Sequence, residues 1–138
     1  MVPFHKYEGL GNHFIVVEEK DISLDWATRF ASSICNPHTG VGADGILIMS
    51  ESKTADASMT IVNSDGSIPE MCGNGLRCAA KYLIDSGKNS QSMSISTGAG
   101  DLNCEIQPDN ATLIRVSMGK ASCSAVEESL FGLSLIQI

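Results

Sequence analysis

The chain has 138 residues, is 43% hydrophobic and carries a formal net charge of −7, which suits one domain with a core of its own. The acidic balance argues against nucleic acid as a partner, because such binding needs clustered Lys and Arg. There is no apolar run of about eighteen residues and no basic-then-apolar start, so we expect neither a membrane partner nor a signal peptide.

The predicted elements begin with a strand from Asn12 to Val17, where the apolar run HFIVV follows a glycine turn. Apolar residues at helical spacing from Leu24 to Ile34 then predict a helix that ends at Asn36-Pro37. Ser23 is its expected N-cap, and Pro37 cannot continue the helical hydrogen bonds. The glycines of 40–49 lead into a strand, and the stretch lacks the Gly-Lys-Ser/Thr of a phosphate loop.

The remaining strands suggest a sheet of six or more strands. Residues 57–63 predict one strand, ended by a turn at 64–67. Alternating or β-branched patterns predict further strands at 92–96, 101–107 and 112–118, the last two forming an antiparallel hairpin. With two helices, this pattern predicts the α+β class built on an antiparallel sheet.

The second helix, predicted from Asn74 to Ser86, is apolar over most of its circumference. Its polar residues Arg77, Lys81 and Asp85 are four apart and share one stripe, and Gly87 marks its end. A helix of this kind is surrounded by other elements. We therefore predict that the sheet curls around it.

Cys72 lies just before this helix and is followed by Gly73, Asn74 and Gly75. Helix N-termini present unpaired N–H groups and a positive dipole, which favour the thiolate form of a cysteine. The glycines let a ligand approach the backbone. The pattern predicts an anion pocket with a proton-active sulfur, whereas the alternative is that Cys72 is a small buried hydrophobe.

The chain has five cysteines, an odd number. Free thiols in a reducing compartment are expected without a secretory signal, so we predict a cytoplasmic protein. No C-x-x-C pair or ligand-like His spacing is present, so we predict no metal. Cys78 is assigned to the core. No chemistry is assigned to the others, which are Cys35, Cys104 and Cys123.

Four stretches together resemble the diaminopimelate epimerase family, in the family's order over residues 4 to about 119. They are GLGNHFIVV, the HTGVGADG of 38–45, the NSDGS of 63–67 with MCGNGLRC after it, and the VSMG of 116–119. The resemblance implies a cofactor-free epimerase that interconverts LL- and meso-diaminopimelate, a step of lysine biosynthesis. In that family one cysteine removes the α-proton and a second returns a proton on the opposite face.

The resemblance also implies residue roles and a fold. Cys72 matches the catalytic cysteine of the first half, Gly73 and Asn74 match contacts to the reacting end of the substrate, and Asn12 and Asn63 match side chains that hold its far end. Asn at or before a turn also occurs for conformational reasons alone. The implied fold is one half of a two-part protein, each half an antiparallel sheet around a central helix.

The chain departs from the family in two loops and in length. His13 stands where the family usually has Asp, and Pro37 where it usually has Arg. We expect residues 1–119 to form the N-terminal domain, and 120–138 to be a linker, the start of a second domain or an unrelated tail. The second cysteine and a Glu-Arg pair are expected beyond Ile138.

Two other functions stay open on the sequence. One is a cofactor-independent isomerase or racemase of the same fold that acts on another amino or hydroxy acid. The other is a non-catalytic half-domain for binding or assembly. The expected partners are a small amino-acid substrate and either a second copy of the chain or a missing C-terminal half.

Overall fold

The computed structural model describes residues 1–88 and 90–117. The described part contains two helices, α1 (Leu24–Ile34) and α2 (Gly73–Asp85). Its seven strands are β1 (His5–Gly9), β2 (Asn12–Glu18), β3 (Gly45–Ser50), β4 (Ala57–Asn63), β5 (Ser92–Thr97), β6 (Gly100–Gln107) and β7 (Asn110–Val116). The predicted boundary at 119, the segment 120–138 and Cys123 lie outside the described residues.

The strands form one mixed sheet in chain order, β1 to β7. The α+β class is confirmed. The sheet was predicted to be antiparallel. Four of its pairings are antiparallel, including the predicted β6–β7 hairpin, but β2–β3 and β4–β5 are parallel. The chain between each parallel pair contains a helix, and a crossover of this kind returns the chain to the same end of the sheet.

The predicted strand at 57–63 and the helix at 24–34 are confirmed, with the Ser23 side chain accepting a hydrogen bond from the Trp26 N–H. The sequence prediction missed β1, whose HKYEG sequence shows little apolar alternation. A two-residue turn joins β1 to β2, with Leu10 and Gly11 both at positive φ (50° and 91°). Positive φ at both positions is typical of the tight turn that fits twisted hairpins.

The last strand was predicted at 112–118 and is observed two residues earlier. Only Pro108 and Asp109 form the turn, so that Asn110 already belongs to β7. Residue 118 lies outside the described residues. The hairpin register also shifts between Ile106 and Gln107, as at a β-bulge.

Helix α2 is enclosed by the sheet, as predicted, and contacts all seven strands. Its apolar side chains enter the larger hydrophobic core, and Leu76, Ala79 and Ala80 are fully buried. Helix α1 packs on the opposite face over a smaller core, around Ala27 and Ala31. Strands β2 and β3 are buried on both faces, which accounts for their continuous apolar runs.

The ends of α2 are set by its capping residues. The helix begins at Gly73, one residue before the predicted start, because Cys72 itself acts as the N-cap. At the other end Gly87 has φ 104°. The N–H groups of Gly87 and Lys88 bond to the carbonyls of Ile84 and Leu83, the pattern of a Schellman C-cap. No helix of the described residues is long and apolar enough to cross a membrane.

Candidate active site

Cys72 lies at the N-terminus of α2 in an extended conformation (φ −142°, ψ 120°). Its Sγ accepts a hydrogen bond of 3.4 Å from the Gly75 N–H, one of the N–H groups that a helix leaves unpaired at its start. Of the four cysteines in the described residues, all free, Cys72 alone is not buried. Cys72 therefore combines a hydrogen-bond donor at its sulfur with partial exposure of the residue.

Gly75 packs closely against β3 and lies next to this sulfur. A Cβ added at Gly75 would lie 3.7 Å from Cys72 Sγ and 3.3 Å from Cδ2 of Leu47, on β3. Gly73, the first residue of the helix, is buried as well. The small residues after Cys72 therefore let the helix start pack against the sheet while the thiol stays in place.

Asn74 and Asn12, both predicted as site residues, are in direct contact. The Asn74 Nδ2 donates to the Asn12 Oδ1 at 2.7 Å, across 62 positions of chain. Asn74 is 8% exposed. Gly9 allows this approach, because a Cβ there would lie 3.3 Å from the Asn74 carbonyl oxygen. The β1–β2 hairpin and the start of α2 are thus joined through the two amides.

Two charged residues that the sequence analysis did not include in the site extend this contact. The Asn12 Nδ2 donates to Asp44 Oδ2 at 3.3 Å, and an Arg77 guanidinium N–H donates to the Asn74 Oδ1 at 3.1 Å. Asp44 lies in the HTGVGADG stretch and Arg77 in MCGNGLRC. Each belongs to a motif that resembles the family, but only the fold shows that the two residues converge.

Asn63, the remaining predicted asparagine, is the last residue of β4 and lies at the same end of the sheet as Asn12. It pairs with Gly45, and the next residue, Ser64, donates its N–H to the Asp44 carbonyl at 3.1 Å. The Asn63 Nδ2 donates to Ser67 Oγ at 3.0 Å within its own turn. The structure therefore places Asn63 at the same end of the sheet as Asn12, with its amide engaged by the turn.

The two departures from the family lie in exposed positions. The side chain of His13 is exposed, and the residue is held through its backbone, whose N–H donates to Asp44 Oδ2 at 2.8 Å. This bond lowers the pKa of Asp44 below its ordinary value. Pro37 is exposed in the loop after α1. A side-chain change at either position leaves the backbone bonds at Asp44 intact.

The other described cysteines belong to the cores, as predicted for Cys78. Burial raises the pKa of Cys78 and of Cys104 to about 12, and it also raises the pKa of Cys35. These thiols stay protonated at neutral pH. In the described residues, no three His, Cys, Asp or Glu side chains converge as a metal site requires.

A second polar cluster lies at the other end of α2. Tyr7 donates to Asp85 at 2.7 Å and Tyr82 to Glu18 at 2.8 Å, next to a cavity of about 200 Å³ that His5 also lines. Tyr82 lies ten residues along the helix from Cys72, or about 15 Å at the rise of an α-helix. This cluster is therefore separate from the cysteine.

Comparison by sequence with known proteins points to one family. The family model described as "Diaminopimelate epimerase" matches residues 4–124. The diaminopimelate epimerase of Elusimicrobium minutum is 39% identical over 124 residues, a match that covers 90% of this chain and 44% of that protein. The chloroplastic diaminopimelate epimerase of Oryza sativa subsp. japonica is 44% identical over 121 residues, covering 85% and 34%.

Solved structures support the fold. A Bacillus anthracis phenazine biosynthesis protein of the PhzF family superposes with a TM-score of 0.67 at 20% identity, over 83% of this chain and 39% of that one. The chain spans less than half the length of the curated relatives it matches. The similarity to the solved structure concerns the fold alone.

Proposed function

The chain belongs to the diaminopimelate epimerase family, and on that premise we propose that it supplies one half of an enzyme that interconverts LL- and meso-diaminopimelate. The observation that carries the proposal is the position of Cys72. The half-buried Cys72 caps α2 two residues before Asn74, whose amide is paired with that of Asn12. A cysteine that only filled the core would need neither the N-terminal helix position nor the adjacent amides.

In this proposal Cys72 is one of two thiols that move the α-proton. The Cys72 thiolate takes the proton from the α-carbon and becomes a thiol, leaving a carbanion stabilised by the adjoining carboxylate and nearby donors. A second thiol on the opposite face then delivers its proton to the carbon and becomes a thiolate, so that the configuration is inverted. The reaction needs no cofactor, since both proton transfers use side chains.

The local electrostatics support this role for Cys72. The Gly75 N–H points at the sulfur, and the N-terminus of α2 places the positive end of the helix dipole beside it. Both effects favour an anion at this end of the helix. The same N-terminus offers backbone N–H groups from the buried Gly73 and Asn74 to a substrate carboxylate, as helix N-termini do for other anions.

We assign the substrate contacts to four residues, Gly73 and Asn74 at the reacting end and Asn12 and Asn63 at the far end. An amide presents both a donor and an acceptor, which suits an amino-acid group that carries an ammonium and a carboxylate. Asn63 would have to share or release its bond to Ser67 to reach the substrate. The strand ends that carry Asn12 and Asn63 lie at the same end of the sheet, near the start of α2.

The second thiol, with a Glu-Arg pair that helps to hold the substrate carboxylate, is proposed to come from a second half of the protein. The relatives are more than twice as long as the matched segment, which supports this arrangement over a self-complementing dimer of the chain. The free cysteines in the described residues suit a reducing compartment, and we propose the cytoplasm as the site of the reaction.

The test is a chimera in which residues 1–117 replace the matching segment of the Elusimicrobium minutum relative. Purified chimera is incubated with LL-diaminopimelate, L-lysine or L-glutamate, and the stereoisomers are separated by chiral chromatography. We expect meso-diaminopimelate to form and the two other amino acids to be unchanged. Inversion of lysine or glutamate without turnover of diaminopimelate would favour another isomerase of the same fold.

A further inference from the structure

Four side chains are linked in a linear chain of hydrogen bonds near Cys72. This chain, here called the amide relay, consists of Arg77, Asn74, Asn12 and Asp44. The donor-to-acceptor distances along it are 3.1 Å, 2.7 Å and 3.3 Å. The relay joins α2 to β2 and to the loop before β3, so that its members come from distant parts of the chain. Its two middle members are residues that we propose to bind substrate.

The relay has one direction, because its end groups differ in kind. An arginine can only donate hydrogen bonds, and an ionised aspartate can only accept them. Each amide oxygen therefore faces the Arg77 side, and each amide nitrogen faces the Asp44 side. Reversing Asn74 would set its NH₂ against the guanidinium, and reversing Asn12 would set its oxygen against the carboxylate.

Both end groups are themselves anchored by backbone. The Arg77 Nε donates to the Ile114 carbonyl on β7 at 3.0 Å. Asp44 accepts from the His13 N–H at 2.8 Å, and its own N–H donates to the His13 carbonyl at 2.7 Å. The half-buried guanidinium keeps its charge, since arginine is not deprotonated in proteins. The charges at the two ends are thus fixed in position as well as in sign.

The direction of the relay decides what the amides can offer to a ligand. Each uses one N–H and one oxygen lone pair in the relay and retains one of each. Asn74, at 8% exposure, has little freedom to turn and exchange them. If an amide were reversed, a ligand at the same place would meet an acceptor where it now meets a donor.

We propose that Arg77 and Asp44 are positioning residues whose opposite charges orient the amides of Asn74 and Asn12 for substrate recognition. The identity of the substrate rests on the proposed function, whereas the orientation is a property of this chain alone. A purely structural clamp between α2, β2 and β7 would hold the elements together without transmitting a change from one end of the relay to the other.

The experiment observes the side-chain NH₂ groups of Asn12 and Asn74 by two-dimensional NMR of the ¹⁵N-labelled 138-residue chain, without substrate. Arg77→Met removes the charge and the donors but keeps the aliphatic stem. We expect it to shift the NH₂ signals of both asparagines by more than a linewidth and to speed their exchange with solvent. Arg77→Lys, which keeps the charge, is expected to restore the Asn12 signals.

A matched control and a second variant complete the test. Lys81→Met removes the next cation on the same helix stripe, where it pairs with Asp85 at 2.9 Å, and should leave both signals in place. Asp44→Asn keeps the shape and removes the charge from the other end of the relay. It is expected to shift the signals of Asn74, which Asp44 does not contact in the relay.

The proposal is overturned if each end of the relay acts only on its neighbour. In that case Arg77→Met would shift the NH₂ signals of Asn74 but not those of Asn12, and Asp44→Asn would shift those of Asn12 but not those of Asn74. Backbone signals of β3 and β4 report that each variant is folded. Because no substrate is present, loss of epimerase activity in the chimera would reject the proposed function without affecting this result.

Discussion

Replacing Gly75 by Ala should separate the stability of α2 from the chemistry of Cys72. The change adds one methyl group at the third helical residue. The added Cβ would be 3.3 Å from Leu47 Cδ2, 3.5 Å from Cys72 Cβ and 3.7 Å from Cys72 Sγ. The first distance is tight, but the atom concerned is the end of a flexible side chain, and the other two are ordinary contacts.

The stability effects of Gly75→Ala nearly cancel. Ala is better than Gly in a helix by up to about 1 kcal/mol, and burial of a methyl adds about 0.8 kcal/mol. Overpacking against Leu47 costs about 1–3 kcal/mol. We therefore expect the free energy of unfolding to change by no more than about 1 kcal/mol in either direction, as measured by urea denaturation.

The effect on the thiol should be large in comparison. The new methyl fills the space beside Sγ, excluding water and reagent from that side of the sulfur. We expect alkylation of Cys72 by iodoacetamide at neutral pH, followed by mass spectrometry, to slow several-fold in the folded variant. Gly87→Ala is the control, since it adds a methyl at φ 104° with open space around it at the other end of α2. It should lower stability and leave Cys72 alkylation unchanged.

Wild-type alkylation of Cys72 in a folded Gly75→Ala variant would refute the reasoning, because the methyl would then lie away from the reactive side of the sulfur. A loss of more than about 3 kcal/mol would also refute it, since Leu47 would be unable to move.

Three further predictions concern the thiols, the core and the acid limb of stability. Iodoacetamide should label Cys72 before Cys78, whose burial raises its pKa to about 12, and peptide mapping that found Cys78 first would count against the site. Leu76→Ala should cost about 2–5 kcal/mol in urea denaturation, because the fully buried Leu76 lies in the core that encloses α2; a cost below ~1 kcal/mol would mean that this core is loosely packed. The hydrogen bond from His13 lowers the folded pKa of Asp44, so its stabilisation is present above the unfolded pKa of about 3.9 and is lost as pH falls through the folded value. Asp44→Asn should make the fall in stability below about pH 4 shallower in acid titration, and an unchanged acid limb would contradict this.

The elements that could be predicted from the sequence are those with strong local signals. The β-branched residues of β4 and the capping Ser23 of α1 define their elements with little help from the rest of the chain. Strand β1 could not be found in this way, since its few residues are mostly polar and it exists as the partner of β2. The parallel pairings likewise depend on where the helices return the chain.

The same distinction between local signals and long-range contacts applies to the candidate site. Cys72 could be proposed as a candidate because its helix position and the glycines after it are written in consecutive residues. The link from Asp44 to Arg77 through Asn12 and Asn74 could not, because its contacts join residues up to 62 positions apart. A motif shows which residues accompany one another, whereas only the fold shows which atom donates to which.

Exchange of the α-proton tests most directly the claim that Cys72 is one of the two bases. The chimera is incubated with LL-diaminopimelate in D₂O, and NMR follows deuterium at the α-carbon together with inversion. Cys78→Ser, which changes a buried thiol of the same helix, is the matched control. The account predicts that exchange with inversion persists in Cys78→Ser and is abolished in a folded Cys72→Ser variant. Exchange with inversion at the wild-type rate in Cys72→Ser would contradict it.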